Sequence, residues 1–98
     1  MITIVAKLIL KPGAKAAFLE VAHGWLIEKS RAEEGCISYN LYEDIDDENV
    51  VCFIEEWKDA DALALHGRTE HFLSTLEARS ALTAGREVKK YTKAWTGI

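Results

Sequence analysis

Two strand-like runs joined by a short acidic turn occupy the centre of the chain and restrict its fold most strongly. The runs cover residues 36–45 and 50–58, and the turn at 46–49 reads Asp-Asp-Glu-Asn. Asp and Asn favour turns because their side chains hydrogen-bond to the local backbone. The sequence therefore predicts a β-hairpin, with Ile45 opposite Val50 as its register.

This register assigns the hairpin residues to two faces, because side chains alternate along a strand. One face is predicted to carry Asn40, Tyr42, Phe53, Glu55 and Trp57. The other is predicted to carry Ile37, Tyr39, Leu41, Cys52 and Ile54. Both faces are largely apolar, so each needs a cover that excludes water.

The segments before the hairpin supply one strand and one helix. Ile2–Leu10 is rich in Ile, Val and Leu, which predicts a buried strand that ends at Pro12-Gly13. A helix is predicted over 14–34, with Gly35 as its C-terminal stop. Its apolar stripe at helical spacing consists of Ala14, Phe18, Val21, Ala22, Trp25 and Ala32.

The segments after the hairpin supply two helical stretches and a last strand. A short helix capped by Asp59 or Asp61 is predicted to end at His66, and Thr69 is predicted to cap a second helix over 70–84. The residues of this second helix predicted to face inward are Phe72, Leu73 and Leu76. Gly85 is expected to end it, before a strand over 87–95.

The order β-α-β-β-α-β predicts an α+β, ferredoxin-like fold in a single domain over residues 1–98. Helices from one chain cover only one face of such a sheet. We therefore expect a homodimer in which a second copy covers the face with Tyr39, Leu41 and Ile54.

Composition excludes several classes of partner. The net charge is −4 and the isoelectric point is about 5.3, so the chain lacks the basic surface that binds nucleic acid or anionic membranes. Neither a signal peptide nor a membrane-spanning run is predicted. Cys36 and Cys52 are expected to be reduced thiols, and the expected location is cytoplasmic.

Several segments together resemble the antibiotic biosynthesis monooxygenase domain family. The similar segments are EEGCISYNLYED at 33–44, FIEEWKD at 53–59, ALALH at 62–66, the pair His71-Phe72, and the opening strand with Lys11-Pro12-Gly13. The resemblance covers nearly the whole chain. It implies a dimeric α+β barrel in which two sheets pack face to face, with a small pocket between each sheet and its helices.

The resemblance also implies a range of activities. The family includes cofactor-free monooxygenases of quinols and phenols, a haem-degrading branch and an isomerase of phosphorylated ketones. The polar and aromatic residues of the haem-degrading branch have no counterparts here. We therefore expect a monooxygenase with no cofactor or metal, which uses a small aromatic substrate and molecular oxygen.

His66 is the predicted catalytic residue, because a histidine beside the Gly67 helix break can accept a phenol proton near neutral pH. The alternative is an exposed helix-end histidine stabilised by the helix dipole. His71 is predicted to line the pocket. The two histidines lie five residues apart and no third ligand has a metal-site spacing, so a metal site is not predicted.

The predicted substrate pocket combines residues of the hairpin and of the second helix. The predicted substrate-binding residues are Asn40, Tyr42, Phe53, Trp57, His71 and Phe72. The alternative for the aromatic members is ordinary core packing. Resemblance to the polyketide-oxidising members places Trp57 on the wall, whereas Phe53 replaces a polar Asn of those members.

Two other functions remain open at this point. The isomerase would use the same pocket, with Arg86 and Lys89 holding a phosphate, unless these are simply solvated charges. A basic pocket mouth would favour this function. A non-catalytic ligand-binding or dimerisation module would be favoured by a pocket that its own side chains fill.

Overall fold

The structure, a computed structural model, describes residues 1–95 and has the predicted order of elements. The strands are β1 (Ile2–Leu10), β2 (Cys36–Glu43), β3 (Val50–Trp57) and β4 (Thr83–Tyr91). The helices are α1 (Lys15–Val21), α2 (Ile27–Arg31), α3 (Ala60–His66) and α4 (Glu70–Ala81). All strand pairs are antiparallel, in the order β2-β3-β1-β4. The α+β, ferredoxin-like prediction is confirmed.

The first helix is interrupted by a π-helical turn at Ala22–Leu26, which joins α1 to α2. Its buried stripe includes five residues that lie four apart: Ala14, Phe18, Ala22, Leu26 and Ser30. A regular α-helix has about 3.6 residues per turn and would rotate such a stripe away from the sheet. The wider π turn offsets that rotation. Ala32, which the sequence placed in the stripe, is exposed.

The predicted hairpin register is wrong by one residue. Tyr39 lies opposite Glu55, and Tyr42 lies opposite Cys52. A shift of one residue moves every side chain of a strand to the other face. Tyr39 and Leu41 therefore pack on the helix-covered side, and Asn40 and Tyr42 face away from it. An irregularity between Cys36 and Ser38, together with the loop at 44–49, sets this register.

The two later helices begin as predicted but the second ends earlier. The side chains of Asp59 and Thr69 accept hydrogen bonds from the backbone N–H groups of Ala62 and Phe72, at 2.8 and 3.3 Å. Helix α4 ends at Ala81, and Gly85 lies within β4 opposite Ile9. The inward face of α4 is formed by buried His71 and Thr75, whereas Leu73 is exposed.

The core lies between the helices and one face of the sheet. Its largest fully buried side chains include Phe18, Leu26 and Trp57. No helix covers the opposite sheet face within residues 1–95. The apolar residues on this open face include Val5, Ile9, Tyr42, Cys52, Ile54 and Tyr91. None of the described helices is long and apolar enough to cross a membrane.

Candidate active site

A cavity of about 290 Å³ lies between the sheet and helices α3 and α4. The strand residues that line it are Ile4, Ala6, Leu8, Tyr39, Phe53, Glu55, Arg86, Val88 and Lys90. The helix and loop residues that line it are Leu63, His66, Gly67, Phe72, Leu76 and Arg79. Most of this wall is apolar or aromatic, and its polar groups are few and ionisable. Such a composition is typical of a site for a small organic ligand.

Glu33 holds the two histidines of α3 and α4 together. Its Oε2 atom lies 2.7 Å from His66 Nδ1 and 2.8 Å from His71 Nε2. A carboxylate only accepts hydrogen bonds, so each of these ring nitrogens carries a proton. In neutral His66 the lone pair is therefore on Nε2, and this ring belongs to the cavity wall.

The approach of Glu33 to α3 depends on Gly35. A Cβ atom on Gly35 would overlap the Cβ of Ala62 in α3. The absence of a side chain lets the start of β2 approach this helix closely. Lys58 N–H also donates to the carbonyl of Gly35 at 2.9 Å, which ties the end of β3 to the same point.

Trp57 supports the site from beneath. Its ring centroid lies 4.5 Å from that of His66, and its Nε1–H donates to Glu55 Oε1 at 2.9 Å. Trp57 is fully buried. One indole therefore fixes both a histidine ring and a carboxyl group that line the cavity.

Burial favours the neutral forms of His66 and Glu55 and shifts their pKa values accordingly. Burial lowers the pKa of His66, and the hydrogen bond and charge of Glu33 offset part of this effect. Burial raises the pKa of Glu55 to about 7, against the stabilising hydrogen bond from Trp57. The cavity thus contains a neutral imidazole and a carboxyl group that titrates near neutral pH. Perturbed groups of this kind are common at functional sites.

Arg79 extends from α4 into the same cavity. Its Nε–H donates to Thr75 Oγ1 at 3.1 Å, and its Nη2–H donates to the carbonyl of Phe72 at 2.9 Å. Its guanidinium carbon lies 4.8 Å from the centre of the Phe72 ring. These contacts immobilise the cation and leave part of its N–H fork free for a ligand.

The mouth of the cavity is basic on the β4 side. Arg86 and Lys90 line it, because these alternate residues of β4 lie with Val88 on the inner face of the strand. Lys89, the residue the sequence paired with Arg86, lies on the opposite face and forms an ion pair with Glu87 at 3.2 Å. Alternation along the strand separates Lys89 from Arg86, so Lys89 is the solvated charge that the sequence offered as the alternative to a phosphate ligand.

The structure brings some of the predicted site residues together and separates others. His66, Phe53 and Phe72 line the cavity. Trp57 and His71 lie behind the wall, where they contact His66 and Glu33. The predicted pocket positions of Asn40 and Tyr42 are wrong because of the register shift.

Asn40 and Tyr42 face away from the cavity and have other surroundings. Asn40 Oδ1 accepts a hydrogen bond from Arg31 Nη2 at 2.9 Å. The Tyr42 side chain is half exposed on the open face of the sheet.

Sequence reasoning missed four residues of the site. Tyr39 was assigned to the other face, and no role was given to Glu33, Arg79 or Lys90. Glu33 lies in the segment that resembles the family, directly before Glu34-Gly35. A carboxylate beside a constrained glycine was the available signal, but its partners are 33 and 38 residues away.

Glu33 and the two histidines that it contacts also form a set of donors that could hold a metal ion. The ligand atoms of Glu33, His66 and His71 all lie within 4.8 Å of one another. A carboxylate with two imidazoles is a known set for zinc or iron. The spacing argument against such a set was wrong, because the third donor comes from another element. In the structure, two hydrogen bonds to Glu33 Oε2 account for the arrangement.

Comparisons with known proteins give a consistent result. Residues 1–78 match the family model described as antibiotic biosynthesis monooxygenase. YcnE of Bacillus subtilis, named as a candidate monooxygenase, is 40% identical over 72 residues, which is 74% of this chain and 75% of that protein.

Solved structures agree with the family match. A crystal structure described as antibiotic biosynthesis monooxygenase is 33% identical with a TM-score of 0.89, over 96% of this chain and 99% of that one. A protein of Pseudomonas aeruginosa is 32% identical with a TM-score of 0.88, over 96% and 94%. The resemblance found from the sequence is confirmed.

Proposed function

Because the chain belongs to the antibiotic biosynthesis monooxygenase family, we propose that it is a cofactor-independent monooxygenase of a small quinol or phenolic compound. The observation that carries the proposal is the oriented His66 in an aromatic cavity. Glu33 fixes its Nδ1–H, so Nε2 is available as the proton acceptor. The wall formed by Phe53, Tyr39 and Phe72 suits a flat ring.

The proposed reaction needs only the substrate, oxygen and the protein. His66 Nε2 takes the hydroxyl proton, and the resulting phenolate transfers an electron to O₂. A carbon–oxygen bond then forms between the ring and the reduced oxygen. The ring hydroperoxide loses water, with the proton returned by His66, and leaves a quinone. One oxygen atom enters the ring, the other leaves as water, and the substrate supplies all the electrons.

The protein contributes orientation and charge to this sequence. Glu33 stabilises the imidazolium that forms on His66, as the third group of a triad does. Arg79 supplies positive charge on the cavity wall, where the phenolate develops. The buried Trp57 keeps the imidazole ring in one orientation.

Oxygen uptake with simple quinols tests the proposal. We expect the colourless, unmodified protein to accelerate O₂ consumption by a substituted hydroquinone. With ¹⁸O₂, one labelled oxygen atom should appear in the ring of the product and the other in water. Activity should survive exhaustive chelation. Activity that returns only after iron, zinc or flavin is added would contradict the proposal. A requirement for iron or zinc would point to Glu33, His66 and His71 as the metal ligands.

A second candidate function is isomerisation of a small phosphorylated ketone. The basic mouth formed by Arg79, Arg86 and Lys90 favours it. An open cavity of about 290 Å³ argues against a purely structural module, because side chains do not fill it. Conversion of a phosphorylated ketone without oxygen uptake would select the isomerase.

We further propose that the functional form is a homodimer joined through the open sheet faces. Ile9, Tyr42 and Tyr91 on this face are each about half exposed in the single chain, at 46%, 50% and 50%. Apolar area buried between two copies contributes about 25 cal/mol per Å² before the cost of association. Two such sheets would form the barrel that the resemblance implies.

Sedimentation checks the assembly. We expect a dimer at micromolar concentration, and we expect Ile54→Glu to give monomeric or aggregated chain because it places a charge in the interface. Leu65→Glu is the control, since Leu65 is an exposed apolar residue on α3. A fully folded, stable monomer of the unmodified protein would contradict the dimer.

We propose that the protein lies in the cytoplasm, a compartment that keeps thiols reduced. Cys36 and Cys52 are both free, as predicted. Burial raises the pKa of the Cys36 thiol to about 11, and burial also raises that of Cys52. Both are therefore protonated and poorly reactive at neutral pH.

A further inference from the structure

A second cavity adjoins the first on the side of α4 and β4. It has a volume of about 430 Å³ and is more open to solvent. Eight residues line it, among them the hydroxyl-bearing Ser80 and Thr83. Four of them also line the inner cavity: Leu8, Leu76, Arg79 and Arg86. The two arginines thus lie at the boundary between an aromatic chamber and a polar one.

The charges at this boundary are not neutralised by the protein. Among residues 1–95, none of the ion pairs involves Arg79, Arg86 or Lys90. The one carboxyl group on the inner wall is Glu55, which carries only part of a charge at neutral pH. Burial lowers the pKa of Arg79, and the charges of Tyr39 and Glu55 offset part of this effect, so the cation is partly desolvated.

The positions of Arg79 and Arg86 orient their positive charges toward the boundary between the two cavities. Arg79 is fixed by Thr75 and by the carbonyl of Phe72, so part of its guanidinium is preorganised for another acceptor. Arg86 lies in register with Leu8, the strand residue shared by both cavities. A planar fork of N–H donors recognises carboxylate or phosphate oxygens with two parallel hydrogen bonds.

We propose that the boundary formed by Arg79 and Arg86 is an anion subsite, and that the ligand is a hydroxyaromatic compound with a carboxylate or phosphate substituent. The ring occupies the inner chamber, with its hydroxyl group near His66. The anionic substituent extends between the arginines into the outer chamber, where the Ser80 and Thr83 hydroxyl groups are available. This inference names the substrate class. It rests on the proposed function for the assignment of His66 as the residue that accepts the proton of the ring hydroxyl.

Binding, measured separately from turnover, tests the subsite. We expect 4-hydroxybenzoate or 4-hydroxyphenyl phosphate to bind at least about tenfold more tightly than neutral 4-hydroxybenzamide, because a charge-assisted pair contributes more than a neutral contact. Titration calorimetry of the unmodified protein gives the three affinities. The better of the two anions identifies the substituent.

Matched arginine variants locate the subsite. Arg86→Met should remove most of the preference for the anion, whereas Arg68→Met removes the same charge from an exposed residue that lines neither cavity. Both positions are exposed, so both variants should fold, and circular dichroism checks this. Lys90→Met should reduce the preference less, since Lys90 lines only the inner cavity.

Three outcomes would overturn the subsite: equal affinity for the neutral amide, an equal loss in Arg68→Met, or no binding of either anion at millimolar concentration. Tight binding of the anions without oxygen uptake would leave the subsite standing and contradict the monooxygenase. Oxygen uptake with only neutral quinols would do the reverse. The failures of the two proposals are therefore distinguishable.

Discussion

Replacement of His66 by Ala is expected to lower the rate of quinol oxidation by about 10²–10⁴, which is the usual contribution of a general base. Among residues 1–95, only His66 Nε2 combines an unprotonated ring nitrogen with a place on the aromatic wall. The unmodified rate should fall at acid pH, because protonation removes the acceptor. Burial lowers the pKa of His66, so this loss lies below the ordinary value for histidine.

Two further variants separate catalysis from structure. Glu33→Gln keeps a hydrogen-bond acceptor but removes the charge that stabilises the imidazolium, so we expect a smaller loss of rate and an acid limb at lower pH. His23→Ala is the control, because His23 is exposed and distant from the cavity wall. Steady-state oxygen uptake gives the rates. An unchanged rate in His66→Ala, with an unchanged melting temperature to show that the variant is folded, would contradict the catalytic role of His66.

Replacement of Glu55 by Gln is expected to raise the free energy of unfolding by about 2–3 kcal/mol at pH 8 and to leave it nearly unchanged at pH 4. Burial raises the pKa of Glu55 from its ordinary 4.5 to about 7. The folded chain therefore holds this proton more tightly than the unfolded chain. Ionisation between pH 4.5 and 7 destabilises the fold, and the penalty persists above pH 7.

The size of this effect follows from linkage. One pKa unit corresponds to about 1.4 kcal/mol, so a rise from 4.5 to about 7 corresponds to about 3 kcal/mol. Glutamine can still accept the hydrogen bond from Trp57 Nε1–H, which limits other losses. Urea unfolding at several pH values gives the measurement.

The neighbouring glutamate supplies a matched control for this prediction. Glu56 faces the opposite side of β3 and accepts a hydrogen bond from Ser38 Oγ at 2.7 Å. Glu56→Gln should change stability by no more than about 0.5 kcal/mol at either pH, because glutamine keeps the acceptor for this hydrogen bond. A gain in Glu55→Gln that does not depend on pH would contradict a buried, titrating carboxyl group.

Local sequence determined the order and type of the elements. The acidic turn at 46–49 joins β2 to β3, and Asp59 and Thr69 cap the two later helices as predicted. These features depend on interactions within a few residues, and local interactions can be inferred from the chain alone. The positions of His66 and Phe72 in the cavity follow from the same local order.

Tertiary contacts determined the register and the chemistry of the site. Nothing within the hairpin distinguishes Ile45–Val50 pairing from the observed register, because both of its faces are apolar. The irregularity near Cys36 and the contacts of Tyr39 with Trp57 and His66 belong to the packed state. A register shift of one residue was sufficient to move Tyr42 out of the site.

The partners of the candidate base are also a product of the fold. Glu33 reaches His66 and His71 because Gly35 lets β2 approach α3, and no spacing along the chain encodes that convergence. The pKa of Glu55 depends on burial, which exists only once the helices cover the sheet. Sequence therefore determined which side chains were available, and packing decided which of them meet and in which charge state.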